Sequence, residues 1–214
     1  MGNPRKNGKL QAKKLLCLWV PQHMTQYQNR AFNKFIKNMH ELFAKKLPDA
    51  EQWEGVKPLL SSLLEDREFQ QKSLGWMKKR GREYILHHDT KYDFFVGALV
   101  REPKHAAMAH DHGPTWTIYG VLDGDEITHI YERLDNGEDE GYAKLELKAR
   151  TEAPAGSVDV VPPFVIHAEN GSSERSVAIT VRTTKPGSYD QTMFDLETGK
   201  TGISRGLELI PLQV

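Results

Sequence analysis

An internal disulfide is excluded, because the sequence has a single cysteine, Cys17. One lone thiol suits a reducing compartment, and the cytoplasm is the expected location. Net charge is also lacking, since 29 Lys plus Arg balance 29 Asp plus Glu. No overall field therefore draws the chain to nucleic acid or to an anionic membrane surface. Basic residues are not gathered on one predicted face, nor do aromatics interleave with them, so no nucleic-acid partner is expected. No uninterrupted apolar run is long enough to span a bilayer, and no membrane partner is expected either. Internal repeats and low-complexity tracts are absent. What is there is a chain of 214 residues, enough for one domain with a helical extension and a sizeable core. Residues 1–14 carry Arg5, Lys6, Lys9, Lys13 and Lys14 and no acid. They read as an extension ahead of the domain, with a transit peptide as the alternative and Met24 as a candidate internal start.

The first part of the chain has helical texture. Between Thr25 and Lys46, the residues Phe32, Phe35, Ile36, Met39, Leu42 and Phe43 recur at spacings of three and four, which predicts an amphipathic helix. Pro48 and Asp49 break it. A second helix is predicted over Ala50 to Leu64, with Pro58 shortening or kinking its start. A third is predicted over Arg67 to Lys79. None carries a cluster of metal-ligand side chains, so each apolar stripe needs another surface to bury against. From Tyr84 the texture changes to short strands. They are predicted at Tyr84 to Leu86, Tyr92 to Val100 (closed by the charges of Arg101 and Glu102), Ala106 to His110, Thr115 to Leu122, Glu126 to Leu134, Tyr142 to Ala149, Ser157 to Val161, Val165 to Glu169 and Ser176 to Thr183. Asp123-Gly124-Asp125, Asn136-Gly137 and Asn170-Gly171-Ser172 separate them as turns, and Asp195 to Thr201 reads as a late hairpin. Evenly spaced short strands with glycine-containing turns predict a sandwich or barrel. Two parts follow: residues 1–82 as an extension with helices packed on the barrel, and residues 83–214 as the β-barrel.

Nine histidines are present, most needing no functional explanation. His105 and His129 read as structural or surface residues, and adjacent His87 and His88 face opposite ways on a strand. His110 and His112 are different. At i and i+2 of a strand, both imidazoles share one face. His167 follows Pro162-Pro163-Phe164-Val165-Ile166 and can supply a third. Three imidazoles meeting inside a barrel make a transition-metal site with open coordination positions.

His110-Asp111-His112, followed by a strand ending in Gly120, resembles the first motif of the cupin superfamily. Gly156, Pro162 and His167 resemble the second. Within the superfamily the chain is most similar to the thiol dioxygenases, the cysteine and 3-mercaptopropionate dioxygenase branch, because of Trp116 and the run Tyr119-Gly120-Val121-Leu122-Asp123-Gly124. The resemblance covers roughly the last two thirds of the chain. It implies an all-β cupin barrel, or jelly roll, behind an N-terminal helical extension. It also implies Fe(II) held by His110, His112 and His167, with nickel, manganese or zinc as alternatives, and a small-molecule substrate with O2 as partners. A homodimer through sheet edges is a further expectation by family analogy.

Departures from the pattern are informative. The Glu that usually follows the second His is missing, and Thr117 takes its place, so a three-His site is expected. The Ser-x-His-x-Tyr series of the thiol dioxygenases reads Thr180-x-Arg182-x-Thr184 here. That points away from cysteine and 3-mercaptopropionate themselves. Phe164 replaces the usual Gly of the second motif, and Asn170 sits one place early.

The family's strand register would turn Thr117, Tyr119 and Val121 inward. Tyr119 then either bonds a bound oxygen or substrate group, or is a core aromatic with its hydroxyl satisfied at the rim. Arg182 either clamps a substrate carboxylate or forms an ion pair with an acid. Thr117 completes the candidate catalytic set. Asp111 is expected to face away from the metal and Glu169 to be a surface charge. Three readings follow: an Fe(II) dioxygenase acting on a small bidentate thiol or oxygen chelator, a metal-dependent lyase or isomerase on the same barrel, and a non-catalytic metabolite-binding cupin.

Overall fold

In the computed structural model, residues 27–214 are described. The basic stretch at 1–14, Cys17, Pro21 and Met24 lie outside them.

Three helices come first: α1 (Arg30–Phe43), α2 (Asp49–Leu64) and α3 (Arg67–Ser73). Helix α1 starts where the Asn29 side chain accepts the Phe32 N–H at 2.8 Å, which satisfies one of the first-turn donors. It buries Phe32, Phe35, Met39, Leu42 and Phe43. Pro58 neither shortens nor interrupts α2, contrary to expectation. Burial of Trp53, Val56, Leu60, Leu63 and Leu64, at about 1.5–3 kcal/mol for a large apolar side chain, outweighs one missing hydrogen bond. Helix α3, capped by Asp66, ends at Ser73 rather than Lys79.

Twelve strands follow: β1 (Arg82–His88), β2 (Phe95–Arg101), β3 (Ala109–His110), β4 (Thr117–Asp123), β5 (Asp125–Arg133), β6 (Leu145–Pro154), β7 (Val158–Val161), β8 (Ile166–Gly171), β9 (Ser176–Arg182), β10 (Gln191–Phe194), β11 (Thr201–Ser204) and β12 (Glu208–Pro211). They form two six-stranded sheets, one ordered β12-β1-β2-β9-β4-β7 and the other β11-β10-β3-β8-β5-β6. The all-β core with N-terminal helices predicted from the sequence is the architecture found. Pairing is antiparallel except for β12, which joins β1 in parallel and brings the C-terminal stretch back onto the first sheet.

The helices cover the outer face of that sheet. One apolar cluster joins Phe32, Met39, Trp53, Leu60 and Phe69 to Val96, Ile118, Leu122, Ile179 and Val181. The opposite face of the same strands looks inward, where Tyr119, Val121, Ala153 and Ala178 form a separate cluster. Gly120 allows the close approach of α2: a Cβ there would stand 2.8 Å from Leu64 and 2.9 Å from Leu60.

A polar knot pins α1 to the barrel. His40 and His87 both reach Asp89 Oδ2, Tyr27 Oη meets Nδ1 of His87, and Asp89 Oδ1 accepts the N–H groups of Lys91 at 3.0 Å and Tyr92 at 2.7 Å. Burial pushes the Asp89 carboxyl up, but bonds from His87, the Tyr92 N–H and His40 outweigh it and hold the group well below the usual carboxylate range. A depressed carboxylate contributes stability above its ordinary pKa, near about 4, and loses it as pH falls from there. Asp89→Asn should therefore cost about 1–3 kcal/mol at pH 7 and progressively less below about pH 4. Urea unfolding at pH 7, 5 and 3 checks this; a gap that does not change with pH would remove the ionic role.

Candidate functional site

Two paired strands and the turn after the first bring the histidines together. His110, on β3, is the direct cross-strand neighbour of His167, on β8. His112 follows two residues after His110, just beyond β3, and its ring turns back to the same space. One ligand-type nitrogen from each of the three residues lies within 4.8 Å of the other two. His112 and His167 are buried and His110 is half-buried.

Two of the outer nitrogens fix their rings' tautomers. Nδ1 of His110 is 3.0 Å from the Met108 carbonyl, and Nδ1 of His167 is 2.8 Å from the Val165 carbonyl. A carbonyl only accepts, so both Nδ1 atoms carry protons and, in the neutral rings, both Nε2 atoms are bare. Nδ1 of His112 is 2.9 Å from the Thr117 hydroxyl. Thr117 thus touches the outer side of a histidine rather than the shared space. Nε2 of His110 and Nε2 of His112 face each other at 3.2 Å, and Nε2 of His167 is buried without a hydrogen-bond partner. With Nδ1 donating to the Thr117 hydroxyl, Nε2 of His112 is free to ligate as well, and three nitrogen donors gathered this closely fit a divalent transition metal. Burial, then the neighbouring His167, holds the His110 imidazole down to about 4. Burial and His167 likewise place His112 well below the ordinary histidine value. Both rings are therefore in the neutral, ligating form at pH 7. His167 differs, because burial pushes it down while the Glu169 charge outweighs that and raises it.

Glu169 is not a surface charge. It is 4% exposed, because residues 167 and 169 of one strand share its inward face. Its Oε1 lies 3.3 Å from Nε2 of His167, and its Oε2 lies 3.7 Å from an Nη of Arg101. Arg101 does not close β2 at the surface either. It is 6% exposed and bonds Tyr119 Oη and Glu126 Oε1. Tyr119 Oη donates to Glu126 Oε2 at 2.6 Å, and Ser176 donates to Glu126 Oε1 at 2.6 Å. The Tyr119 hydroxyl is therefore satisfied within the wall. Burial raises its pKa well above the ordinary value, against the opposing pull of Arg101.

Arg182 is buried and paired with Glu83 on β1, with Thr180 bonded to both. This contact crosses strand β2 over Gly97, where a Cβ would stand 2.4 Å from Glu83 Oε1. Arg182 Nε and Arg101 Nε are buried without hydrogen-bond partners. Asp111 faces away from the imidazoles, its Oδ1 accepting the Gly113 N–H at 2.9 Å and the Thr192 N–H at 3.1 Å. Asn170 ties Ala107 to β8 and meets Nδ1 of His129 at 2.8 Å.

These groups line a cavity of about 500 Å³ that takes in His110, His112, Tyr119, Glu169, Arg101 and Arg182. Lys78, Arg80 and His105 line it as well. The two acids of the lining, Glu83 and Glu169, already face Arg182 and Arg101, so Lys78 and Arg80 give the cavity a cationic balance. Sequence reasoning passed over Glu83, Arg101 and Glu126, whose strand faces were not assigned. Glu169 carried a usable signal, its i+2 spacing from His167.

No protein-family model matches this chain. Among solved structures, it is similar to an uncharacterized conserved protein with a double-stranded beta-helix domain from Klebsiella pneumoniae, at 17% identity over 55% of this chain and 84% of that one, TM-score 0.39. It is also similar to the DMSP lyases RdDddP and RnDddQII, at 14% identity over 48% of this chain and 45% of theirs, TM-score 0.36. A recombinant oxalate oxidase in complex with glycolate matches at 18% identity over 42% of each chain, TM-score 0.34. The matches span less than half of the lyase and oxidase chains. Overlap at this level carries no argument about substrate or reaction.

Two predictions follow from this geometry. Thr117→Val keeps the shape and removes the bond that orients His112. Cobalt affinity, measured by competition with a chelating dye, should fall roughly 10–100-fold. Phe164, where the resemblance leads one to expect glycine, has φ +62° and a side chain 65% exposed, while its N–H donates to the Gly113 carbonyl at 2.9 Å. A left-handed residue costs about 1–2 kcal/mol, against about 0.5–1 kcal/mol for glycine's freedom in the unfolded chain. Phe164→Gly should therefore stabilise the fold by up to about 1 kcal/mol, as read by urea denaturation.

Proposed function

We propose that this chain is a mononuclear non-haem iron dioxygenase of cupin type, acting with O2 on a small, anionic, bidentate substrate. The carrying observation is the convergence of three imidazoles on one point, two of them, His110 and His112, lining a cationic cavity of about 500 Å³. His110, His112 and His167 would hold the metal. Bound Fe(II) would supply the redox chemistry that O2 needs, and zinc would not. The chain's own residues supply the rest. The carbonyls of Met108 and Val165 and the Thr117 hydroxyl orient the three rings. Arg182, fixed by Glu83, presents a guanidinium to the cavity for a substrate carboxylate, and Lys78 adds a second positive group. Tyr119 keeps its proton at Oη and hands it toward Glu126, which holds the phenol in one orientation. The apolar cluster of Tyr119, Val121, Ala153 and Ala178 restricts water behind the site. Substrates whose thiol or hydroxyl lies beside a carboxylate or carbonyl match this arrangement.

A lyase or isomerase is the second reading, favoured by the buried Tyr119–Glu126 proton pair in the cavity wall. There the metal would act as a Lewis acid and Tyr119 as the proton donor. Oxygen consumption separates the two. Iron-reconstituted protein, assayed in an oxygen electrode across thiol acids, hydroxy acids and diketones, should consume O2 with at least one class. His110→Ala and His167→Ala should each abolish both uptake and iron retention. Turnover under anaerobic conditions would favour the lyase, and inertness toward the whole panel would argue against the dioxygenase.

A further inference from the structure

Glu169 stands in an unusual place for a cupin-type acid. The position where the first motif usually supplies a carboxylate holds Thr117, whose hydroxyl contacts the outer nitrogen of His112. The carboxylate nearest the imidazoles comes instead from β8, two residues after His167 and on the same inward face. Its two oxygens are treated differently. Oε2 is turned toward Arg101, and Oε1 is beside Nε2 of His167 at 3.3 Å. That separation is within hydrogen-bonding range, yet Nε2 of His167 makes no hydrogen bond of good geometry. Two ligands of one ion have this relation. With metal–ligand bonds of about 2.0–2.2 Å, neighbouring octahedral ligands lie roughly 3 Å apart. The facing pair of His110 and His112, at 3.2 Å, makes a second edge of similar length.

We propose that Glu169 is a fourth, monodentate protein ligand to the metal, delivered by the strand that carries His167. The assignment rests on the metal-site reading above. It gives the site three neutral nitrogens and one carboxylate, so the net charge on a bound divalent ion falls by one. Arg101 plays the outer part. It holds Oε2, stops the carboxylate from binding through both oxygens, and is itself anchored by Tyr119 and Glu126. Fewer positions on the ion are then open, which limits a bidentate substrate to one approach along the cavity.

The test uses the full-length protein loaded with cobalt(II), with Glu169→Gln as the variant and Glu126→Gln as a control that disturbs Arg101 without touching the metal. Glu169→Gln should weaken cobalt affinity roughly 10–100-fold and change the ligand-field absorption bands, while Glu126→Gln leaves the bands in place. Bands and affinity unchanged in Glu169→Gln would overturn the assignment. Should that variant fail to fold, a crystal structure of the cobalt-loaded wild type decides: Oε1 at about 2.0–2.2 Å from cobalt supports it, and a separation beyond about 3 Å refutes it. A wild-type protein that takes up no cobalt would sink the metal-site reading and this ligand with it. Tight cobalt binding with a distant Glu169 would sink the ligand alone.

Discussion

Nε2 of His110 and Nε2 of His112 face each other across 3.2 Å while their opposite nitrogens are committed to Met108 and Thr117. In the neutral His110 ring the facing atom is a bare lone pair, because the proton on Nδ1 goes to a carbonyl. Much of the barrel's detail exists to keep this arrangement intact. The direct pairing of β3 with β8 places His167 opposite His110. Asp111 locks the turn after His110 by holding Gly113 and Thr192, so His112 returns to the shared space.

Around the imidazoles the barrel buries several full charges, which ordinarily costs several kcal/mol per ion unless each is paired and hydrogen-bonded. The pairing is thorough. Arg182 meets Glu83, Arg101 meets Glu126 and Glu169, and Tyr119, Ser176 and Thr180 occupy the remaining acceptors. Both guanidinium Nε atoms are left over. A polar wall this connected is rigid, and rigidity is what a site needs to hold ligands in one geometry. The helices make that rigidity possible from outside: by covering the first sheet with an apolar layer, they leave its inner face free to carry polar groups.

Much of this was legible in the residues. Alternation with period two placed most strands within a few positions, and the i, i+2 spacing put His110 and His112 together. The bland alternatives proved informative at two positions, since Arg182 is ion-paired and the Tyr119 hydroxyl is satisfied. Phe164 holds the left-handed conformation that a glycine would adopt without strain, which its residue type gives no sign of. Glu83, Arg101 and Glu126 escaped notice because a charged residue at a strand end looks the same in sequence whether it meets solvent or a buried partner.

The sequence by itself determined the all-β core, the helical stripes in front of it and which residue types are able to ligate a metal, because periodicity and side-chain chemistry are local properties. Tertiary structure alone decided which acids meet the buried guanidinium groups of Arg101 and Arg182. Glu169 and Glu83 reach the cavity through strand pairing between distant segments, across a gap left by Gly97 in one case and beside His167 in the other. Pairing partners are set by how whole sheets close on each other, and no short stretch of chain encodes that closure.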